Sequence, residues 1–493
     1  MPPTRPTIFA LSSGHPPAAI AVIRISGSRA GAALKALSGK IPAPRQAALA
    51  RIRGADNEII DEALILWFPA PASETGEDVA ELQLHGGRAV IAAVLAALSQ
   101  IEGLRPAEAG EFTRRAFKND KLDLTAVEGL ADLVMAETEG QRRQAFRQMK
   151  GLLGTRAETW RQRLIQALAL VEARIDFSDE ADVPENLVAP VLVIARELAD
   201  EIAAALIDGG RGERLREGLV VAIAGPPNVG KSTLLNRLAK REAAIVSPYA
   251  GTTRDVIEVH LDLDGWPVTL LDTAGIRETN DPVELEGVRR ARERSAGADL
   301  VLWVVDAGEA DTAPVPDRAS SPDPAPHAPP LWLVRNKIDL IQPLSDRNER
   351  INHSIDSNEA ASRTNKPLIG VLNQRLTGRT GRNESNSNKN DLEFNLSAIT
   401  GQGFDQLLDR LARQAEDFLG GSEQALVTRE RHRRVLEEVL AALKRALGGK
   451  IAGREDLLAE ELRIAARALG RLTGRVDVED ILNVIFRDFC IGK

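Results

Sequence analysis

The stretch Gly225-Pro226-Pro227-Asn228-Val229-Gly230-Lys231-Ser232 decides how the rest of the chain is read. It matches the phosphate-loop pattern, in which backbone N–H groups of a glycine-containing turn cradle phosphates and a lysine reaches the β- and γ-phosphates. Its flanks are of the right kind. Leu219 to Ala224 is an apolar run that predicts a strand, and Ser232 to Ala239 predicts a helix, so the phosphates would meet a helix N-terminus. Ser232 offers a hydroxyl to Mg²⁺, with Thr233 next to it in the same turn.

Three further elements follow in the order that this kind of nucleotide site requires. Asp272-Thr273-Ala274-Gly275 comes after a strand expected over Val268 to Leu271, which puts Asp272 near Mg²⁺ and the Gly275 N–H near the γ-phosphate. Asp264-Gly265, just ahead of it, is a hairpin turn signal. Asn336-Lys337-Ile338-Asp339 follows a strand expected over Leu331 to Val334. A carboxylate at Asp339 can accept hydrogen bonds from both the N1–H and the 2-amino group of guanine, which adenine does not offer, so the nucleotide is GTP rather than ATP. Ser397-Ala398, after a strand over Phe394 to Leu396 and before Ile399, would reach the guanine O6 through backbone N–H groups. An N-K-x-D run alone is a weak signal; the ordered set is a strong one.

Ras-like switches place a glutamine directly after D-x-x-G to orient the attacking water. Ile276 holds that position here and cannot do so. An arginine finger contributes about 10³–10⁵ in rate, so another source of charge and orientation is needed. Asn228 and the carbonyl-rich loop Ser247-Pro248-Tyr249-Ala250-Gly251-Thr252-Thr253-Arg254-Asp255 supply oxygens able to hold a monovalent cation beside the phosphates. Glu284 follows in the stretch after D-x-x-G, and reads either as a water-ordering carboxylate or as an exposed acid at a helix start.

Working outward, the 493-residue length predicts roughly three domains. Hydrophobic content of 43% and charged content of 27% suit a soluble globular protein with sizeable cores. The net charge of −8 argues against a chain that coats nucleic acid nonspecifically and leaves room for local basic patches. Cys490 is the single cysteine, which excludes an internal disulfide framework and a Cys-only metal cluster and fits a reducing, cytoplasmic setting. No apolar run of about 18 residues is present and the N-terminus does not read as a secretory signal, so no membrane association is expected.

Residues 1–121 alternate short apolar runs with turn residues; strands over Ile20 to Ile25 and Ala63 to Phe68 and helices over Ala30 to Ala36 and Ala89 to Leu98 predict a small α/β domain. Residues 122–216 follow a helical period. Thr125 and Glu128 have capping-box spacing, with Ala126, Leu130, Leu133 and Val134 on one face, and Trp160, Leu164, Leu168, Val171 and Ile175 form a long stripe. Pro184 and Pro190 interrupt it, and a helix from about Val191 is expected to stop at Gly209-Gly210. Residues 217–420 form the nucleotide domain, with a Pro/Ala/Asp-rich insertion at about 310–330 and an Asn/Ser-rich one at about 345–390, both read as surface or disordered loops. Residues 421–493 are helical again, with Leu436, Val439, Leu440, Leu443 and Leu447 on one stripe ended by Gly448-Gly449, and a last helix carrying Ile481, Leu482, Ile485 and Phe486. The expected fold is therefore multidomain, α/β plus all-α: an N-terminal α/β domain, a discontinuous helical domain built from both flanks, and an inserted Ras-like P-loop domain.

Further segments carry a family resemblance: Arg24-Ile25-Ser26-Gly27, Thr75-Gly76-Glu77-Asp78-Val79-Ala80-Glu81-Leu82-Gln83, His85-Gly86-Gly87, Gly110-Glu111-Phe112-Thr113, Arg115-Ala116-Phe117, Asn119-Asp120-Lys121-Leu122-Asp123-Leu124, Ala250-Gly251-Thr252-Thr253-Arg254-Asp255 and the terminal Phe489-Cys490-Ile491-Gly492-Lys493. With the guanine motifs upstream of the last of these, the sequence resembles the MnmE (TrmE) family of tRNA modification GTPases over nearly its whole length.

The resemblance implies an N-terminal domain that forms a homodimer and binds a tetrahydrofolate derivative (formyl or methylene), with contacts at Arg24, Glu81, Lys121 and Lys493. It implies a GTPase switched on by K⁺-dependent pairing of two guanine domains. K⁺ ligands map to Asn228, Ser247, Tyr249 and Thr252, Mg²⁺ to Ser232 and Thr253, and the catalytic glutamate to Glu284. GTP contacts run over Asn228 to Thr233, Ser247 to Thr253, Asp272 to Gly275, Asn336 to Asp339 and Ser397 to Ile399. A partner of the MnmG (GidA) type, carrying FAD, would join it in a hetero-oligomer to install a carboxymethylaminomethyl or aminomethyl group at C5 of the wobble uridine of certain tRNAs.

On the residues alone some alternatives stay open. Lys121 reads equally as a solvated charge, and Cys490 as a small buried hydrophobe or a thiol near the folate carbon. Arg142-Arg143 with Arg147 and Lys150, and Arg429 to Arg434, read as solvated helix faces or as contacts to tRNA phosphates. Two other functional classes compete: a ribosome-assembly GTPase, for which no appended RNA-binding module or second guanine domain stands out, and a nucleotide-gated scaffold with little turnover.

Overall fold

A computed structural model describes residues 5–176, 187–240, 258–272, 297–309, 329–341, 392–421, 425–448, 454–476, 485 and 492. Two compact units are present. The first comprises Met1–Ala136, Gln141–Glu213 and Ser422–Lys493, and the second Glu137–Gly140 and Arg214–Gly421. Among the described residues no helix is long and apolar enough to cross a membrane.

The first unit opens with a six-stranded sheet in the order β3-β4-β5-β2-β1-β6. Its strands are β1 (Thr7–Leu11), β2 (Ala18–Ser26), β3 (Ala48–Arg53), β4 (Ile59–Phe68), β5 (Val79–Gly86) and β6 (Leu104–Pro106). All pairings are antiparallel except β1 with β6. Side chains alternate along each strand: Ile23, Ile25, Ile52, Ile65, Leu82 and Leu84 are buried with α1 (Ala30–Ser38) and α2 (Arg88–Ser99), while the intervening residues face the other way. α3 (Glu111–Lys118) follows and leads into α4 (Leu124–Met135).

α4 corrects one expectation. Its N-cap is Asp123, whose carboxylate accepts the Ala126 N–H (2.9 Å) and the Thr125 hydroxyl (2.6 Å), so Thr125 and Glu128 are not a capping box. Asp123 wins because its side chain reaches the free N–H groups directly, and Glu128 is turned inward instead, 2% exposed. α5 (Glu139–Met149), α6 (Leu152–Asp176) and α7 (Val188–Glu217) come next, and α10 (Glu430–Gly448) and α11 (Glu455–Thr473) return from the far end of the chain. Trp160, Leu164 and Val171 of α6, Leu198 and Ile202 of α7, Leu436, Val439 and Leu443 of α10 and Leu462, Leu469 and Leu472 of α11 form one buried core. Both flanks of the sequence thus build a single helical core.

α7 also departs from expectation, because Gly209-Gly210 does not stop it. Each mid-helix glycine costs about 1 kcal/mol relative to alanine, but Ile202 and Ala205 on one side and Leu215 on the other are buried anchors that outweigh this. At Gly212 a small residue is required, since a Cβ would lie 2.1 Å from the Val427 carbonyl oxygen. α11 was not anticipated at all, although Leu458, Leu462, Ala465, Leu469 and Leu472 carry the helical period. Of the last expected helix, Ile485 is helical and packs with Leu124 and Val127 of α4; Ile481, Leu482 and Phe486 lie outside the described residues.

The second unit holds a six-stranded sheet in the order β12-β11-β10-β7-β9-β8. β7 (Leu219–Ala224), β9 (Trp266–Asp272), β10 (Leu300–Asp306), β11 (Leu331–Asn336) and β12 (Glu393–Asn395) are parallel, and β8 (Glu258–Leu263) closes the edge as an antiparallel hairpin with β9. The hairpin turn is Asp264-Gly265 as expected, both at positive φ (54° and 88°), the pairing a type I′ turn needs. α8 (Lys231–Ala239) and α9 (Phe404–Leu419) pack on the sheet through Leu234, Leu235 and Leu238, and through Phe404, Leu407 and Leu411. The insertion segments lie outside the described residues except Pro329-Pro330.

Candidate functional sites

The phosphate loop joins β7 to α8. Gly225 (φ +141°) passes so close to β10 that a Cβ would stand 2.1 Å from the Val304 carbonyl oxygen, and Gly230 (φ +93°) so close to Asn336 that one would stand 2.4 Å from its Nδ2. Only glycine meets both demands. Asn228, exposed at the loop crest, adopts φ +64°. Lys231 is buried against the loop, its Nζ donating to the carbonyl oxygens of Gly225 (2.9 Å) and Pro226 (2.7 Å). Ser232 and Thr233 are exposed in the first turn of α8. A lysine, a helix N-terminus and a glycine-shaped turn therefore converge on one spot, a donor set suited to phosphate oxygens.

The neighbouring loops are tied to it. Asn336, 2% exposed, donates from Nδ2 to the Val229 carbonyl (2.8 Å) and accepts the Ala398 N–H at Oδ1 (2.8 Å). It is a cross-link between the phosphate loop and the Ser397–Thr400 turn. Lys337 (φ +68°) pairs with Asp306 (2.8 Å), and that hydrogen bond holds the Asp306 carboxyl below its ordinary range. Asp339 is exposed in the short 3₁₀ turn Ile338–Leu340. One expectation needs correcting: the Ser397 N–H is donated to Gln402 O (3.0 Å) and the Ala398 N–H to Asn336, because the turn satisfies its own amides. The Ile399 N–H is the one with no partner among the described residues. Arg237 of α8, which sequence reasoning missed, grips the same turn from the other side, donating to the carbonyls of Ala398 (3.2 Å), Ile399 (2.7 Å) and Thr400 (3.1 Å).

Several expected residues lie outside the described ones: Ser247, Pro248, Tyr249, Ala250, Gly251, Thr252, Thr253, Thr273, Ala274, Gly275, Ile276, Glu284, Cys490 and Lys493. Asp272 closes β9, next to the phosphate-loop strand, with Ile223 of β7 as its register partner.

The first unit has a separate cavity of about 540 Å³, lined by Arg45, Phe68, Ala72, Ser73, Glu74, Val79, Glu81 and Lys121. Glu81 and Lys121 are two of the four residues that the resemblance assigns to folate. Arg24 stands behind the wall, its guanidinium held by Glu81 (3.0 Å) and Glu74. Arg45 lies over the Phe68 ring, 5.7 Å from its centroid. The loop carrying Ser73 and Glu74 is anchored from below. Arg115, 4% exposed, bonds Glu77 (2.8 Å) and Glu111 (3.0 Å), Asn119 donates to the Thr75 carbonyl (2.6 Å), and Ser26 meets Thr75 (2.8 Å). Burial works against ionisation of Glu111, but Arg105 and Arg115 overcome it and hold its carboxyl below the ordinary range. Arg45, Phe68 and Arg115 were not picked out for this role, since each lies far along the chain from the residues it serves. Gly492 (φ +104°) sits against the end of β1: its carbonyl accepts a hydrogen bond from the Ser12 hydroxyl (2.8 Å), and a Cβ on it would stand 2.1 Å from the Leu11 carbonyl oxygen.

The basic run Arg429 to Arg434 is mostly committed inside the first unit. Arg429 pairs with Asp132 (2.6 Å), Arg431 with Glu128 (2.7 Å), Arg433 with Glu213 (3.1 Å) and Arg434 with Glu430 (2.6 Å). The run is therefore a set of ion pairs, partly buried at Arg429 and Arg431 and solvent-exposed at Arg434. Fully buried His432 completes it, with Nε2 2.6 Å from Glu128. Burial disfavours its imidazolium, so its pKa falls, and we assign the neutral tautomer with Nε2–H donating to Glu128.

Comparison with known proteins fits this layout. The model described as GTP-binding protein TrmE N-terminus matches residues 7–121, and that described as MnmE helical domain matches residues 124–490. The tRNA modification GTPase MnmE of Rhodopseudomonas palustris (strain ATCC BAA-98 / CGA009) is 53% identical over 100% of both chains. The protein of the same description from Bradyrhizobium sp. (strain ORS 278) is 55% identical, again over 100% of both. Among solved structures, Aquifex aeolicus Era bound to GDP and AlF4⁻ is 28% identical over 39% of this chain and 56% of that one, with a TM-score of 0.23. The chain belongs to the MnmE family of tRNA modification GTPases.

Proposed function

We propose that this GTP hydrolase drives modification of C5 of the wobble uridine in certain tRNAs, using a folate one-carbon unit and an FAD-carrying partner of the MnmG type. What supports this reading above all is the pairing of two separate sites in one chain: a glycine-shaped phosphate loop cross-linked by Asn336 to a base-facing turn, and a cavity lined by Glu81 and Lys121. In the first, Lys231 and the α8 N-terminus hold phosphate, Ser232 and Thr253 hold Mg²⁺, and Asp339 reads the N1–H and 2-amino group of guanine. The exposed Asn228, raised at the loop crest, suits one ligand of a K⁺ ion, with Ser247, Tyr249 and Thr252 as the others. K⁺ supplies positive charge where no arginine does, and Glu284 orients the water that Ile276 cannot.

The second site fits a reduced folate by size and donor set. A volume of about 540 Å³ is within the usual range for small-molecule pockets. Carboxylates at Glu81 and Glu74 suit the N–H groups of a pterin, and Lys121 and Arg45 suit carboxylate oxygens. Gly492 docks beside Leu11, and the residue before Leu11 in β1 is paired in register with Arg24. Bound there, the folate supplies the one-carbon unit; Arg24 orients both wall carboxylates. The N-terminal domain, residues 1–121, forms the homodimer, and the guanine domain, residues 217–420, pairs only during turnover.

Two measurements test the proposal. GTP turnover is expected to rise severalfold in KCl over equimolar NaCl, and equal rates in the two salts would remove the cation reading. Titration of the full chain with 5-formyltetrahydrofolate is expected to show saturable binding; a flat titration would remove the folate reading.

A further inference from the structure

We infer that Arg237 is a positioning residue for guanine recognition, acting by aiming the backbone N–H of Ile399 at the base. The inference rests on the reading that the Ser397–Thr400 turn meets guanine. It concerns how that turn is held, which none of the sequence motifs accounts for.

The argument starts from the trans peptide. Within one peptide unit the carbonyl and the following N–H point in opposite directions. A group that fixes three consecutive carbonyls therefore fixes the three N–H groups on the far side. Arg237 does this: its Nη1 donates to Ala398 O (3.2 Å) and Ile399 O (2.7 Å), and its Nη2 to Thr400 O (3.1 Å). The N–H groups thereby aimed away from the guanidinium are those of Ile399, Thr400 and Gly401. Two of them close the turn on itself, Thr400 N–H onto Ser397 Oγ (3.1 Å) and Gly401 N–H onto Ser397 O (2.8 Å). The third, from Ile399, has no partner among the described residues.

The guanidinium is itself held in place. It lies over the Phe404 ring, 5.6 Å from the centroid, and Phe404 is fully buried in the first turn of α9. Gly401 (φ +90°) clears the way, since a Cβ there would stand 2.0 Å from the Arg237 Nη2. The planar fork of arginine suits this grip and the single ammonium of lysine does not. Arg237 also sits on α8, whose first turn follows the phosphate loop. Helix, guanidinium and turn are thus linked directly, beside the bond from the Ala398 N–H to Asn336.

The test is a nucleotide-analogue cycle on the full-length protein, comparing native, Arg237→Ala and Arg237→Lys. Dissociation constants are measured for GDP, for IDP, which keeps O6 but lacks the 2-amino group, and for 2-aminopurine riboside diphosphate, which lacks O6 and, with it, the N1–H that Asp339 reads. Arg237→Ala is expected to weaken GDP and IDP by about tenfold, the scale of one well-aimed hydrogen bond, and to leave the 2-aminopurine nucleotide unchanged. Arg237→Lys should fall between native and alanine for GDP and IDP. An equal loss for all three nucleotides would mean a general structural role and overturn the proposal, as would native-like GDP binding in Arg237→Ala. If the native protein itself binds the 2-aminopurine nucleotide as tightly as GDP, the reading of the turn as a guanine contact fails instead. Thermal melting of each variant, with nucleotide absent, separates these outcomes from loss of the fold.

Discussion

The sheet of the second unit is parallel except for its β8–β9 hairpin, and that of the first is antiparallel except where β1 meets β6. Parallel strands such as Leu219–Ala224 and Leu300–Asp306 are apolar along most of their length, so their side chains go into the core and the chemistry falls to the loops at their ends. A loop is contiguous, and its needs are written in consecutive residues. In the antiparallel sheet one face is left uncovered by α1 and α2, and residues 24, 66 and 81 meet there across three strands, as Leu66 with Glu81 and Glu81 with Arg24. The candidate site there draws on a cross-strand row, with Arg24 and Glu81 standing 57 positions apart in the chain.

The largest effect separating the two sites should come from Lys231→Ala. Removing this cation from the phosphate loop is expected to lower kcat/KM for GTP by about 10²–10³-fold while folate binding persists, read by phosphate release and folate titration side by side. Asn336→Ala removes both bonds between phosphate loop and base turn, and should cost about 1–3 kcal/mol of GDP affinity, measured by calorimetry. Glu81→Gln keeps the shape of the cavity wall but loses the charge paired with Arg24; folate affinity is expected to fall about tenfold. A loss of GDP affinity in this variant equal to its loss of folate affinity would mean that the two sites are not separate.

The smallest predicted effect is a pH slope in the first unit. Burial lowers the His432 pKa below its ordinary 6.5. Burial works against ionisation of Glu128 too, but His432 and Arg431 overcome it and hold that carboxyl below its ordinary 4.5. In both cases the folded state binds fewer protons than the unfolded one, so stability rises with pH. It is expected to drop as pH falls below about 6.5 through His432, and again through the carboxylate range through Glu128. Urea unfolding followed by helical signal reads this, and His432→Gln should remove the upper step. Stability that increases as pH falls from 7 to 5.5 would contradict the assignment.

Legibility followed the same division. β7, the hairpin turn at Asp264-Gly265 and the order of the guanine motifs could be read directly, because each is a local demand for particular residues. What escaped was set by distant partners. Glu128 looked like a capping residue until His432 and Arg431, some three hundred positions on, were seen to hold it. Gly209-Gly210 looked like a stop because propensity is local, whereas the anchors that carry α7 through it are tertiary. Arg237 and Arg45 belong to no motif, and Phe68 stands only as the end of an expected strand. Only the fold brings them to a turn near residue 398 and to a cavity wall near residue 81.

The central claim is that nucleotide turnover in the second unit serves tRNA chemistry tied to the first. It is tested most directly by mass spectrometry of tRNA nucleosides from a strain lacking this protein, complemented with the native chain or with Lys231→Ala. The account predicts that the native chain restores the C5-modified wobble uridine and that Lys231→Ala, expressed at the same level and still binding folate, does not. Full restoration by Lys231→Ala, or unmodified levels unchanged by deletion of the protein, would contradict it.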